Sequence, residues 1–138
     1  MRIDSAGMIQ DIYSLTPLQE GMLYHSIVSE SGNYVLQKYV NLPFKLEREL
    51  LVKAAELLLD RYDVLRTAVI YQKVKEPKQV VLKKQKPELH FYDFSGCDNE
   101  ALAKSEEKLI VDDIQRGFDL QRDPLIRFAY CNTPGNGS

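Results

Sequence analysis

The chain has 138 residues and a mass of 15.9 kDa, enough for one domain or one lobe of a larger one. Hydrophobic residues make up 44% and charged residues 28%, which excludes a disordered tail, a collagen-like repeat and a disulfide-dense miniprotein. The formal net charge of −2 lacks the cationic surplus that nucleic acid would demand.

No apolar run approaches a membrane span, and the start MRIDSAGMIQDIYSL has no apolar core of a secretory signal. A cytoplasmic protein is the expectation. Cys97 and Cys131 are too few for a disulfide framework and belong to no cluster with metal-ligand spacing. Both are expected as free thiols, one in a loop and one at a strand end.

Residues 1–9 read as a lead-in, followed by an extended segment from Gln10 to Leu15. Thr16-Pro17-Leu18-Gln19-Glu20 predicts a helix start. Thr16 caps, Pro17 suits the first helical position, and Gln19 stands at capping-box spacing from Thr16. Leu18, Met22, Leu23 and Ile27 supply an apolar face as far as Ser29, and Glu30-Ser31-Gly32-Asn33 stops the helix. Alternating β-formers predict a strand over Tyr34–Leu42. A helix is expected over Leu46–Tyr62, with Leu50, Leu51, Ala54, Leu57 and Leu58 as its apolar stripe. Strands are predicted at Val64–Tyr71, Lys78–Lys84 and Leu89–Phe94, the last ending in the turn Ser95-Gly96. Asn99–Gln115 predicts a helix with Leu102, Leu109, Ile110 and Ile114 inward. Asp123-Pro124 opens a final strand, Leu125–Cys131. Residues 133–138 are loop-like, and a Gly-rich end just after a strand suggests a truncated loop or an added Gly-Ser tail.

The order of elements predicts an α/β chain, α+β in its mixed sheet, with some antiparallel pairing. Charge is uneven along it. Residues 73–86 hold six lysines against Glu76, and residues 93–113 hold seven acids against Lys104 and Lys108. Two solvated faces are one reading; a basic strand pair that attracts an acidic partner is the other. GxSxG, a phosphate-cradling glycine loop and HExxH are all missing, and His25 and His90 have no adjacent nucleophile. His25 fits the end of its helix or the wall of a channel, and His90 fits a structural role.

Three segments carry a resemblance. Asp11-Ile12-Tyr13-Ser14-Leu15-Thr16-Pro17-Leu18-Gln19-Glu20-Gly21-Met22-Leu23-Tyr24-His25 resembles the first core motif of nonribosomal peptide synthetase condensation domains, in the variant of subunits that begin with one. Arg61-Tyr62-Asp63-Val64-Leu65-Arg66-Thr67 resembles the second, with Tyr62 where histidine is common. Gly117-Phe118-Asp119-Leu120 and Asp123-Pro124-Leu125-Ile126-Arg127 resemble the stretch before the catalytic strand.

The resemblance, over residues 10–132, implies the N-terminal lobe of a chloramphenicol-acetyltransferase-like condensation domain. Such a domain joins an acyl and an aminoacyl thioester held on the phosphopantetheine arms of carrier domains, with no cofactor of its own. The family's HHxxxDG motif is not in this sequence, so no catalytic residue is assigned and the chain alone is expected to be inactive. The resemblance implies tunnel or architectural roles for Gln19, Tyr24, His25, Arg61 and Arg66, with Arg66 paired to the aspartate of HHxxxDG in the missing C-terminal lobe. It also implies an acceptor communication-mediating region for the C-terminal donor helix of an upstream subunit. Lys73, Lys75, Lys78, Lys83 and Lys84 are the docking candidates. The alternative is a fragment of a free-standing CoA-dependent acyltransferase of the same fold.

Overall fold

The computed structural model describes residues 8–28, 34–122 and 124–135. Thr16 and Gln19 close the expected capping box. The Gln19 backbone N–H donates to Thr16 Oγ1 at 3.3 Å, and the Thr16 N–H donates to Gln19 Oε1 at 2.8 Å. This cap fixes the junction between strand β1 (Ile9–Ser14) and helix α1 (Pro17–Val28). The expected helix end at Ser29 and the stop at residues 30–33 lie outside the described residues, as do residues 1–7, Asp123 and 136–138.

Helix α2 (Arg48–Arg61) is followed by a 3-10 turn (Asp63–Arg66) that leads into β2 (Thr67–Ile70). A hairpin carries the chain to β3 (Lys78–Leu82). Strand β4 (Glu88–Asp93), helix α3 (Asn99–Arg116) and β5 (Arg127–Asn132) then form a β-α-β unit. Asp98 caps α3 by accepting from the Ala101 N–H at 2.8 Å.

The strands make two sheets rather than one. β1, β3 and β2 pair antiparallel in that order, and β4 pairs parallel with β5 from Glu88–Arg127 to Asp93–Asn132. Val80 and Val81 of the central strand β3 are both buried and form the core with Leu15, Leu23, Ala55, Leu59 and Ala68. A Val69 N–H to Leu120 carbonyl bond of 2.7 Å ties β2 to the approach to β5.

Three expectations are corrected. Tyr34–Leu42 forms no strand, with a turn at Tyr34 and no regular structure over 35–42, because its β-forming sequence has no ladder partner among the described residues. Val64–Arg66 winds into a 3-10 turn instead of opening β2, since the Leu65 N–H bonds the Tyr62 carbonyl and Thr67 Oγ1 donates to the Asp63 carbonyl. The apolar stripes are also rotated. α2 buries Ala55 and Leu59 while Leu50 and Leu57 face out, and α1 buries Leu23 while Leu18, Met22 and Ile27 are exposed. Ile114 of α3 is likewise exposed.

Candidate functional site

A cleft of about 970 Å³ opens beside the β4–β5 sheet. Its walls come from α1, α3, the irregular segment 34–44 and the chain entering β5. Parallel register puts His90 beside Ala129 and Tyr92 beside Cys131, and all four line the cleft. The other face of the sheet is closed by the start of α2. There the Arg48 guanidinium lies 4.3 Å from the Phe91 ring centre, and the Leu46 N–H donates to Tyr130 Oη at 3.1 Å.

Two arginines organise the elements around this cleft. Arg127, the first residue of β5, grips the end of α3. Its Nε donates to Asp113 Oδ1 at 2.9 Å, its Nη2 to the Asp113 carbonyl at 3.2 Å, and its Nη1 to the Gly117 carbonyl. The guanidinium stacks 4.1 Å from the Phe118 ring centre. The Gly117 carbonyl just past the last turn gains a charged donor, and the Asp113 carbonyl, which already accepts from the Gly117 N–H, gains a second one. Gly117 adopts φ 59° and ψ −150°, a conformation open in practice to glycine alone.

Arg66 is the second hub and is 5% exposed. Its five N–H groups all find acceptors inside the chain. Nε reaches the Leu82 carbonyl at 2.9 Å, and Nη1 reaches the carbonyls of Leu59 at 2.5 Å and Asp60 at 2.8 Å. Nη2 reaches Gln10 Oε1 at 3.0 Å and Asp63 Oδ1 at 2.6 Å. One side chain thus joins the end of α2, the 3-10 turn, the end of β3 and the start of β1. A guanidinium has five N–H donors, and within the described residues each of them is engaged.

The five residues expected at a tunnel do not converge. Gln19 and Gln79 exchange side-chain amide bonds of 3.0 and 3.2 Å at the start of β3, whereas Arg66 sits at its far end. Tyr24 and His25 face outward in an edge-to-face pair, ring centres 5.8 Å apart. Arg61 is exposed with its guanidinium over the Tyr62 ring.

The docking lysines also separate. Lys73 and Lys75 stand exposed at the β2–β3 hairpin, while Lys83 and Lys84 follow the other end of β3. Five strand residues put about 17 Å between the two groups. Lys78 is engaged by Ser14 Oγ at 2.9 Å and Glu76 at 3.3 Å.

A third polar node carried no sequence signal. Glu88 accepts from His90 Nε2 at 2.8 Å and from Arg116 Nη1. Burial pushes its carboxyl up, but the hydrogen bonds from Arg116 and His90 outweigh that and hold it below the usual range. Burial, with a smaller contribution from Glu106, raises the Cys131 thiol. Cys97 and Cys131 are both free. No group of His, Cys, Asp and Glu among the described residues could hold a metal ion, and no helix among them is long and apolar enough to cross a membrane.

The family profile "Condensation domain" matches residues 9–136. The chain belongs to the condensation-domain family. Its relatives include Gramicidin S synthase 2 of Brevibacillus brevis, 40% identical over 126 residues, which cover 91% of this chain and 3% of that protein. Surfactin synthase subunit 3 of Bacillus subtilis (strain 168) is 40% identical over 130 residues, 91% of this chain and 10% of that protein. The condensation-domain chain therefore spans a small fraction of the curated relatives it matches.

Among solved structures, the starter condensation domain of rhizomide synthetase RzmA superposes with a TM-score of 0.75 at 18% identity, over 89% of this chain and 30% of that one. The epimerization domain from the third module of tyrocidine synthetase B gives 0.72 at 20% identity, over 94% and 29%. The fold is that of condensation domains, which are chloramphenicol-acetyltransferase-like. Arg66 and Arg127 thus lie inside a condensation-domain scaffold, each in a segment that resembles a family motif.

Proposed function

We propose that this chain is the N-terminal lobe of a condensation domain that forms a peptide bond between carrier-bound acyl and aminoacyl thioesters. The match over residues 9–136 carries the reading. The three motif segments support it, because two of them place a buried arginine at the joints between elements. In this reading the lobe supplies a wall and a rigid frame, and the reacting amine is handled by HHxxxDG on the sequence that follows. Carrier domains, with their phosphopantetheine arms, are the partners. The decisive experiment puts this chain in place of the matching segment of Surfactin synthase subunit 3 and measures condensation product on the carrier by mass spectrometry. Product at a rate within about tenfold of the parent supports the reading. A folded chimera with no product overturns it.

The same reading includes acceptance of an acidic donor helix from an upstream subunit. The spacing of the exposed lysines supports a rod-shaped partner. About 17 Å between Lys73–Lys75 and Lys83–Lys84 equals roughly 11 residues of helix, so a donor with acids near both ends meets both groups. Opposite charge of this kind speeds encounter and makes it sensitive to salt. An anisotropy titration of the chain with an upstream subunit's C-terminal helix peptide, against a scrambled control, tests this. Lys83→Glu with Lys84→Glu is expected to weaken binding at least about tenfold; unchanged affinity rejects the docking role.

A further inference from the structure

Helix α2 carries a second apolar line besides the one it buries. Ala55 and Leu59 point inward, and the start of the helix is committed to Phe91 and Tyr130. On the outer side Leu50 is 54% and Leu57 69% exposed, with Ala54, also exposed, between them. Seven residues are almost two full turns, so the two leucines lie on one line about 10 Å apart. None of the three lines the cleft. The charges beside this line are ordered too. Lys53 and Asp60, both exposed, stand seven residues apart along one flank of it, and Glu47 and Arg61 stand at its two ends. The side chains of Glu47, Lys53 and Asp60 have no partner among the described residues, and Glu47 leaves the helix start without a side-chain cap. Arg61 rests only on the neighbouring Tyr62 ring.

We infer that this outer face of α2 pairs with the same face of a second copy, the two helices running antiparallel about a two-fold axis. An axis midway between Ala54 and Leu57 sets Ala54 against the partner's Leu57. Leu50 then meets the aliphatic stem of the partner's Arg61. The same axis brings Lys53 to the partner's Asp60 and Arg61 to the partner's Glu47. The offsets along the helix are about 3 and 5 Å, which long side chains span. By symmetry each ion pair occurs twice. A parallel arrangement instead puts identical charges level with one another. A charge pattern that complements its own reversal specifies a copy of this chain rather than a foreign helix. The contact is short, because 14 residues of helix measure about 21 Å. It belongs with weak, transient interfaces of less than about 1,200 Å², so the dimer forms at concentrations on the order of tens of micromolar. The cleft stays open in this dimer, and the pairing is independent of the activity proposed above.

Sedimentation velocity of the full chain from about 1 to about 500 μM tests the inference, with far-UV circular dichroism to show that each variant keeps its fold. A monomer–dimer equilibrium is expected within that range. Leu57→Glu puts a charge in the seam at an exposed position and is expected to weaken the dimer at least about tenfold. Lys53→Asp and Asp60→Lys each set like charges against one another and are expected to weaken it by about tenfold as well. An equimolar mixture of these two charge variants restores opposite charges at both contacts and is expected to dimerise about as well as the parent. That restoration separates the antiparallel pairing from a general effect of charge. A monomer throughout the range overturns the inference. A dimer of unchanged affinity in Leu57→Glu overturns it as well, since the contact then lies on another face. Two weakened charge variants whose mixture stays weak overturn the antiparallel register.

Discussion

Replacing Arg66 by alanine removes five hydrogen bonds at one stroke, and the structure sets how much each one matters. Asp63 is 55% exposed at its side chain, so its carboxylate rehydrates and the lost ion pair contributes little. Gln10 is exposed and finds water in the same way. The cost falls on the carbonyls of Leu59, Asp60 and Leu82, which lose a charged donor at the junction of α2 and β3. A bond from a charged donor contributes about 1.5–3 kcal/mol, and water entering the vacated space recovers roughly half. The expected loss is about 3 kcal/mol, a large part of the roughly 5–15 kcal/mol that a domain has in total. With an unfolding entropy near 0.3 kcal/mol/K for this length, the melting temperature falls by about 10 °C. Arg66→Lys keeps the charge but loses the planar fork, so it lies between the two. Urea unfolding followed by far-UV circular dichroism measures all three proteins. A loss below about 1 kcal/mol for the alanine variant, or a lysine variant equal to the parent, would refute the hub.

Arg127→Ala is expected to lose about 3 kcal/mol for the same reason, with the drop in exchange protection concentrated in β5 and the last turn of α3. Comparing amide exchange in β5 and β3 checks this, and equal loss in both would place the role elsewhere. Thr16→Ala opens the capping box and should cost about 1 kcal/mol, while Thr16→Ser should restore most of it in thermal melts. Glu88 has a folded-state pKa below its unfolded value, so its contribution is complete above the ordinary carboxylate range and is lost as the pH falls through the folded-state value. Glu88→Gln should therefore lower the urea midpoint near neutral pH and converge with the parent in acid. A constant difference across the pH range would contradict the assignment.

Short-range signals in the sequence translated directly into structure. The Thr16–Gln19 box is a four-residue event whose two partners are both visible in the chain. The β4-α3-β5 order likewise required only periodicity. What failed depends on distant partners. Tyr34–Leu42 has the composition of a strand, but a strand exists only where another supplies the ladder. Arg66 attracted notice through its motif, yet three of its five acceptors are main-chain carbonyls, which leave no trace in side-chain identity. The lysines of residues 73–86 are a block in the sequence and two groups in space, because a strand intervenes. Helical stripes were rotated for a related reason: periodicity gives an apolar sector, and the neighbouring sheet selects which edge of it is covered.

The β4-α3-β5 unit is continuous in the chain, and its ladder is completed without strands from elsewhere. Its joins to the remainder include the Val69–Leu120 bond, the Gln72–Gln121 bond, the bonds of Gln37 to Ile110 and Asp113 of α3, and the contacts of Leu46 and Arg48 with Tyr130 and Phe91. The antiparallel sheet, by contrast, is assembled from segments separated by up to about seventy residues and is knotted together by Arg66. Such an arrangement divides the molecule into two cooperative units with their own opening free energies. The parallel unit can loosen and re-form as a block while Arg66 keeps the other sheet intact. Motion at the cleft is thereby uncoupled from global unfolding.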